Sequence, residues 1–282
     1  MANKFYFIMI QESNIKILEI INSFNQLVLS LFPNIGMLDS GFVRNGFTVV
    51  TAPDKIVNGE IRDFKGMLGK FDGIIGGSPC QDFSGLNRNP STRSQELLDE
   101  FCRIVRECQP QWFLLENVVR VPDVKIDGYY IQRFNLSPTD LGFPQSRNRT
   151  FQFGSKDGRI IELPEPVKYT GEIEKCVTAS EGSKTDRRSY EDFCKLQGFT
   201  EVPRLESFTK SAKYRAVGNG VHLEVSYVIA RYLKKAILSQ EPSTIFNTRT
   251  CACGCGRIMT GRKLSYSDAC RKRVQLKKYR NI

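Results

Sequence analysis

Short apolar segments alternate with amphipathic and turn-forming segments over the first half of the chain. Four of them are typical of buried strands: NQLVLSLF (residues 25–32), FTVVT (47–51), FDGIIGG (71–77) and WFLLENV (112–118). PNIGMLDSGFVRNGF, after the first strand, reads as a turn and a short helix, and SQELLDEFCRIVREC (94–108) has its apolar residues at helical spacing. This alternation predicts an α/β domain built on a mainly parallel, doubly wound sheet.

Two polar segments come directly after predicted strands. Cys80 lies in GGSPCQDFSG, after the third strand, and Glu116 lies in ENV, at the end of the fourth. Because ligands collect at the carboxyl ends of strands in such sheets, we expect Cys80 and Glu116 to share one crevice. A buried cysteine is usually apolar filler, as we expect for Cys102 and Cys108 inside the helix. A Pro-Cys-Gln loop rich in Gly and Ser is a poor core segment, which favours a functional Cys80.

Charge is unevenly distributed along the chain. Of the formal net charge of +11, residues 250–282 contribute nine Lys or Arg against a single acid, Asp268. A basic tail on a nearly neutral body indicates a polyanionic partner, most simply nucleic acid, although a merely solvated tail is almost as plausible from charge alone. The same tail contains four cysteines that can supply a tetrahedral zinc site: Cys251, Cys253, Cys255 and Cys270. A segment this small needs a metal to fold, so we expect structural zinc there rather than reduced cysteines in a flexible tail.

The sequence also argues against several classes of protein. The apolar run FYFIMI is too short for a membrane span or a signal peptide, so we expect no membrane association, reduced cysteines and a cytoplasmic location. The only histidine, His222, precedes a predicted helix and reads as a surface or capping residue. Acid–base chemistry should therefore fall to carboxylates.

Further elements complete the predicted organisation. YYIQRF and RTFQFG read as strands, RRSYEDFCKLQGF as a short helix, YRAVGNGV as a tight glycine turn, and the segment up to residue 239 as a final helix. The predicted units are an N-terminal extension (1–24), a catalytic and cofactor-binding domain (25–154), a reduced target-recognition region (155–208), a returning turn and helix (209–239), a linker (240–249) and the basic four-cysteine module (250–282). We expect a monomer.

Six motifs occur in an order and spacing that resemble the cytosine-C5 DNA methyltransferases: FPNIGMLDSGF, GGSPCQDFS, ENV, GFPQSRNR, LQGF and AVGNGV. The resemblance covers residues 25–235. It implies a Rossmann-like methyltransferase fold, S-adenosylmethionine as cofactor and duplex DNA as substrate, with a zinc-ribbon-like tail added here. It also implies a bacterial or phage setting. The sequence does not identify a restriction enzyme that would accompany this protein.

The resemblance assigns catalytic roles to four residues. Cys80 would add to carbon 6 of a flipped cytosine, so that carbon 5 can accept the methyl group, and a local field should favour the thiolate. Glu116 would contact ring N3 and must be able to hold a proton, which burial favours. Arg147 and Arg149 of QSRNR would brace the base oxygen, the Cys80 loop and phosphates.

Cofactor residues follow from the same resemblance, with departures from the family pattern. Phe32, Asn34, Ile35 and Gly36 stand where the family has Phe-x-Gly-x-Gly, and Asn34 replaces the middle glycine, which asparagine can do because it tolerates a left-handed backbone. Asp54 would bind the ribose hydroxyls, and Glu60 would lie near the adenine after a missing or vestigial helix. Pro79, Asn219 and Val221 would complete the pocket.

DNA contacts are expected from the loop after the nucleophile and from the motif that contains the arginines. The residues concerned are Gln81, Ser84, Arg88, Arg93 and Gln145, of which Gln145 should also fix its own segment. Two other functions remain open from the residues: a cytosine-5 methyltransferase acting on RNA such as tRNA, and a non-catalytic DNA-binding protein on the same scaffold.

Overall fold

A six-stranded sheet forms the centre of the protein, with strand order β2-β1-β3-β4-β7-β5. In chain order the strands are β1 (Leu27–Leu31), β2 (Thr48–Thr51), β3 (Gly73–Gly77), β4 (Trp112–Asn117), β5 (Tyr130–Leu136), β6 (Gln145–Ser146), β7 (Arg149–Ser155) and β8 (Glu174–Lys175). This computed structural model describes residues 25–55, 59–85, 89, 91–239, 249–250, 258–259 and 271–272. The N-terminal extension, Arg88 and the four tail cysteines lie outside these residues.

The sheet is mixed. Strands β1 to β4 pair in parallel, which confirms the predicted parallel arrangement for this part. Strand β7 runs antiparallel to both β4 and β5. Because of this reversal, β7 begins at the same edge of the sheet at which the parallel strands end. Separately, β6 pairs with β8, and β9 (Arg249–Thr250) pairs with β10 (Ile258–Met259).

Helices cover both faces of the sheet, as the doubly wound prediction requires. They are α1 (Met37–Arg44), α2 (Arg93–Cys108), α3 (Tyr190–Leu196), α4 (Lys210–Asn219) and α5 (Leu223–Leu238). The apolar stripe of α2 packs on one face, where Cys102 and Cys108 are buried core residues as expected. Helices α1 and α5 pack together on the opposite face, against Val28, Ile75 and Leu114. Alternate residues of each strand therefore contribute to different cores, as the strand period of two demands.

A third, smaller apolar cluster lies outside the sheet. Val177, Phe193 and Cys194 pack there with Tyr214 and Val217 of α4. The described residues between β2 and β3 include the short 3₁₀ helix Ile61–Asp63 and no α-helix, which agrees with the prediction that the helix there is missing or vestigial. No helix of the described part of the chain is both long and apolar enough to cross a membrane.

The prediction that YRAVGNGV forms a tight glycine turn is wrong for most of this segment, which is helical. Thr209 caps α4 by accepting a hydrogen bond from the Ala212 N–H (3.3 Å), and the helix continues to Asn219. Gly218 is needed for packing, because a Cβ there would lie 2.9 Å from backbone atoms of Thr178 and Ala179. The chain therefore turns only after Asn219.

His222 confirms the capping prediction but is not a surface residue. Its Nδ1 accepts a hydrogen bond from the Glu224 N–H (3.3 Å) at the start of α5, and the side chain is 2% exposed. Burial and the nearby charge of Arg147 lower the pKa of His222 to about 4. The imidazole is therefore neutral near pH 7 and serves as a cap.

Candidate active site

The strand register brings the predicted catalytic side chains to one edge of the sheet. Gly77 of β3 pairs with Glu116 of β4, and Cys80 follows three residues later. A Cβ on Gly77 would lie 2.8 Å from Glu116 Oε2, so glycine leaves room for the Glu116 carboxyl. Arg149 begins β7 at the same edge, because β7 is antiparallel to β4. Cys80, Glu116 and Arg149 all line one cavity.

Glu116 is buried, and its carboxyl forms an ion pair with Arg149. Its Oε1 lies 3.3 Å from Arg149 Nε, and its side chain is enclosed by β3 and the cavity wall. Burial raises the pKa of Glu116, while the charges of Arg149 and Arg147 act in the opposite direction. The carboxyl can therefore accept a proton more readily than an exposed glutamate, as the assigned role requires.

The structure corrects the expectation that the local field favours a Cys80 thiolate. Cys80 is partly exposed to the cavity, yet burial raises its pKa, and the negative charge of Glu116 raises it further. Arg149 and Arg147 lower the pKa but do not outweigh these two effects. In the protein without bound base, Cys80 is therefore a protonated thiol at neutral pH.

Arg147 has a different position from that predicted. The side chain is 2% exposed, and its guanidinium donates to the carbonyl oxygens of Val177 (2.9 Å), Gly218 (2.8 Å) and Gly220 (2.9 Å). It also contacts Cys176 Sγ at 3.2 Å. Most N–H groups of the Arg147 guanidinium are therefore used in hydrogen bonds within the protein. We assign Arg147 to positioning the segments that line the cavity. Arg149 remains the arginine available to a base.

Gln145 is also a positioning residue, and its predicted DNA contact is corrected. The side chain is fully buried and donates to Leu196 O and Gln197 Oε1 (3.0 Å), while its Oε1 accepts from the Val177 N–H (3.1 Å). Gln145 thus connects β6 to the end of α3 and to the segment that follows β8. No surface of Gln145 is left for a phosphate or a base.

The cavity that holds these side chains has a volume of about 860 Å³. Asp54 and Glu60 also line it, and Glu60 forms an ion pair with Lys55 (Nζ–Oε2 3.8 Å). Pro79 and Leu97 provide apolar surface. A concave space of this size that combines apolar surface with polar and charged side chains can hold a cofactor.

The turn after β1 adopts the conformation that the sequence suggested. Phe32 and Asn34 have left-handed backbones (φ 55° and 53°), as has Gly36 (φ 74°), which begins α1. Asn34 Nδ2 also donates to Ala216 O (2.6 Å), which fastens the turn to α4. Phe32 and Asn34 line the cavity, whereas Ile35 packs against the third apolar cluster and does not.

Both residues of the returning segment line the cavity: Asn219 is exposed there and Val221 is buried. They lie where α4 ends and the chain turns toward α5.

The loop after the nucleophile is anchored at its base. Asp82 accepts hydrogen bonds from the backbone N–H groups of Ser91 (2.8 Å) and Ser94 (2.8 Å), and these contacts lower its pKa to about 2. Of the predicted DNA contacts in this region, Gln81, Ser84 and Arg93 line the mouth of the cavity. A loop that is anchored at one end by Asp82 and carries polar residues next to the cavity is suited to extend over a substrate.

Several cavity residues were not anticipated from the sequence. They are Asp39 of α1, Cys176 and Thr178 after β8, and Arg215 of α4. Only Asp39 has a sequence signal, since it lies between the apolar Met37–Leu38 pair and Phe42 in a segment predicted to be a short helix. The others come from segments that the resemblance treated as target recognition or as a turn.

Solved structures of methyltransferases have a similar fold. Entamoeba histolytica methyltransferase EhMeth has a TM-score of 0.57 at 14% identity, covering 76% of this chain and 99% of that one. A putative DNA modification methyltransferase encoded within an Escherichia coli prophage has a TM-score of 0.54 at 18% identity, covering 76% and 100%. The chain thus has the Rossmann-like fold of these methyltransferases.

The sequence comparison is more specific. Residues 52–192, half of the chain, match the family described as C-5 cytosine-specific DNA methylase, and the chain belongs to this family. Type II methyltransferase M.FnuDI of Fusobacterium nucleatum is 33% identical over 174 residues, 50% of this chain and 51% of that protein. Type II methyltransferase M.HgiDI of Herpetosiphon aurantiacus is 31% identical over 166 residues, 48% and 54%. The chain spans about half the length of these relatives.

Proposed function

We propose that this protein transfers a methyl group from S-adenosylmethionine to carbon 5 of cytosine in DNA, through a covalent adduct with Cys80. The observation that carries the proposal is the meeting of Cys80, Glu116 and Arg149 on the wall of one cavity. Family membership and Type II relatives support DNA as the substrate. The intact catalytic set argues against a non-catalytic DNA-binding protein.

In the proposed reaction, the Cys80 thiol first loses its proton to solvent, and the thiolate forms a bond to carbon 6 of the base while Glu116 donates a hydrogen bond or a proton to N3. The electron pair of the 5,6 double bond then becomes available at carbon 5, which takes the methyl group. Loss of the carbon 5 proton to solvent and departure of the sulfur as a thiolate restore the ring, and any proton transferred to N3 returns to Glu116. The raised pKa of Glu116 suits proton donation, and Arg149 can hold the base oxygen from the opposite side.

Ionisation of Cys80 is coupled to Glu116 in this scheme. A protonated Glu116 no longer raises the thiol pKa, whereas Arg149 and Arg147 continue to lower it. Binding of cytosine, which brings N3 to Glu116, therefore favours the thiolate at the moment when it is needed. The free protein keeps an unreactive thiol.

The cavity fits the cofactor in size and in chemistry. S-adenosylmethionine supplies the methyl group when bound, and its adenosine would lie beside Asp54, Glu60 and Pro79. The two acids are suited to ribose hydroxyls and to the exocyclic amine of adenine. The left-handed turn of Phe32 and Asn34 lines the same cavity as Cys80 and would contact the cofactor there.

Base extrusion is required because carbon 5 is inaccessible in a duplex, at a cost of about a few kcal/mol. Arg93, Gln81 and Ser84 at the cavity mouth are placed to contact the backbone around the extruded nucleotide. Residues 155–208 are proposed to read the flanking bases. The bacterial relatives support bacterial or phage DNA in the cytoplasm as the target.

For residues 250–282 the proposal depends on the sequence alone. Cys251, Cys253, Cys255 and Cys270 are proposed to hold structural zinc, which would present the adjacent basic residues to phosphates. Metal analysis of the purified protein should give about one zinc per chain, and replacing Cys255 and Cys270 by serine should abolish it. Zinc content unchanged in that variant contradicts the assignment.

The proposed function is tested by trapping. The protein is incubated with S-adenosylmethionine and duplex DNA containing 5-fluorocytosine, from which the carbon 5 substituent cannot leave as a proton. Wild-type protein should form a denaturation-resistant complex, and Cys80→Ala should not, while Cys102→Ala serves as the control for loss of an unrelated thiol. Equal trapping by wild type and Cys80→Ala contradicts the mechanism.

A parallel assay separates DNA from RNA. Methyl transfer from labelled cofactor is measured on duplex DNA and on tRNA at equal nucleotide concentration. Incorporation into DNA supports the proposal, and incorporation into tRNA alone overturns the substrate assignment.

A further inference from the structure

One buried carboxylate on the cavity wall has no counter-charge among the residues that the structure describes. Three acidic residues are buried in the described part of the chain: Asp39, Glu116 and Glu181. Glu181 is paired with Arg188 (2.9 Å) and Glu116 with Arg149 (3.3 Å). No ion pair joins Asp39 to a Lys, Arg or His of the described residues. Because an isolated charge is costly to bury, an unpaired carboxylate in a cavity calls for an explanation.

The position of Asp39 is fixed by its neighbours. It lies in the first turn of α1, is 8% exposed, and its Oδ1 accepts a hydrogen bond from the Ser30 hydroxyl at 2.6 Å. Its Oδ2 faces the turn after β1, 3.8 Å from the point that a Cβ on Gly36 would occupy. Both Ser30 and Asp39 line the cavity. The carboxylate therefore lies on the cavity wall, close to Gly36 at the start of α1.

A purely structural role is the competing explanation. An acid in the first turn of a helix interacts favourably with the helix dipole, and the Asp39 backbone N–H stabilises its carboxylate. Burial nevertheless raises the pKa of Asp39 above its usual value, so these contacts do not fully offset the loss of solvent. A cation entering the cavity would complete the site.

We propose that Asp39 binds the α-ammonium group of S-adenosylmethionine, which rests on the proposed function. The methionyl part of this cofactor carries two cationic groups, the ammonium and the sulfonium. Only the ammonium has N–H donors, and Asp39 retains acceptor capacity at Oδ2 beyond its bond to Ser30. Asp54 and Glu60 are assigned to the adenosine and Glu116 is paired with Arg149, so Asp39 is the acid of the described cavity wall that is left for the methionyl end of the cofactor.

The test compares three ligands by calorimetry with wild type and Asp39→Asn. S-adenosylmethionine carries both cationic groups, S-adenosylhomocysteine carries the ammonium alone, and 5′-methylthioadenosine carries neither. The variant should bind the first two about 10- to 100-fold more weakly, since a charge-assisted hydrogen bond is lost, and should bind methylthioadenosine as wild type does. Asp99→Asn, an exposed acid on α2, should leave all three affinities unchanged.

The other outcomes each overturn the proposal. Weaker binding of S-adenosylmethionine alone would place Asp39 at the sulfonium, and equal weakening of all three ligands would indicate a structural role. Unchanged binding of all three would show that Asp39 contacts no cation. If wild type binds none of the three ligands, the proposed function itself fails, a result distinct from any effect of Asp39. Circular dichroism and thermal melting of Asp39→Asn verify that it folds.

Discussion

Arg149 Nε lies 3.3 Å from Glu116 Oε1, and this pair connects an antiparallel strand to the end of a parallel one. The contact exists because β7 begins where β4 ends. It places one fixed positive charge and one protonatable acid beside Cys80, and both affect the thiol pKa, in opposite directions. The pKa of the Cys80 thiol thus depends on the charges of Glu116 and Arg149, together with that of Arg147.

The first prediction concerns that dependence. In Glu116→Gln the Cys80 thiol should have a lower pKa than in wild type, because the negative charge that raises it is removed. In Arg149→Gln the thiol pKa should rise. The measurement is the rate of Cys80 alkylation by iodoacetamide against pH, quantified on the Cys80 peptide by mass spectrometry.

Asp54→Asn is the control for this experiment, since Asp54 is a cavity acid that does not contribute to the shift at Cys80. It should leave the alkylation profile unchanged. A Cys80 pKa that stays the same in Glu116→Gln would refute the coupling between the two residues.

The second prediction separates the two arginines of QSRNR. Arg147→Met leaves the carbonyl oxygens of Val177, Gly218 and Gly220 without their donor, and should lower the free energy of unfolding by about 3 kcal/mol or more. Arg149→Met should lower stability less than Arg147→Met does, because the buried Glu116 carboxyl can take up a proton when its partner is removed, but it should reduce kcat by roughly 100-fold.

Urea unfolding and single-turnover methyl transfer measure the two quantities on the same preparations. The assignment of Arg147 to positioning is wrong if its variant unfolds like wild type and loses only activity. The assignment of Arg149 to catalysis is wrong if Arg149→Met keeps wild-type kcat.

Much of the fold follows from local sequence pattern. The strand that precedes Cys80 and the strand that contains Glu116 are short apolar runs bounded by glycine or polar residues. A parallel sheet places the ends of these two strands together. The vestigial helix before β3 was equally visible, because too few residues separate Asp54 from the next strand. These features depend on neighbours in the chain, which a single sequence displays.

What the sequence did not reveal depends on distant contacts. Gln145 and Arg147 look like solvent-facing polar residues, and only packing against residues 176–177, 196–197 and 218–220 buries them. The sign of the Cys80 pKa shift likewise depends on the balance between burial, Glu116 and two arginines. The glycines around Gly218 predict a turn. The actual reason for glycine at this position is close packing against the backbone of Thr178 and Ala179, which lie about 40 residues away in sequence.

The third prediction concerns stability against pH. The pKa of His222 is about 4 in the folded protein and 6.5 as its ordinary value, so the unfolded chain binds a proton at a higher pH than the folded one. The His222 contribution to stability is therefore complete above pH 6.5 and is lost as the pH falls toward 4. The loss amounts to about 3 kcal/mol for a shift of this size.

The comparison with His222→Asn isolates this effect, because asparagine can still cap α5 and all other titrating groups are shared. Urea unfolding is measured for both proteins at intervals from pH 7.5 to pH 4. The stability of wild type relative to the variant should be constant above pH 6.5 and decrease below it, since only wild type must leave a proton behind on folding. A difference that is the same at every pH would mean that His222 is not held neutral by burial and Arg147, whatever constant offset the substitution introduces.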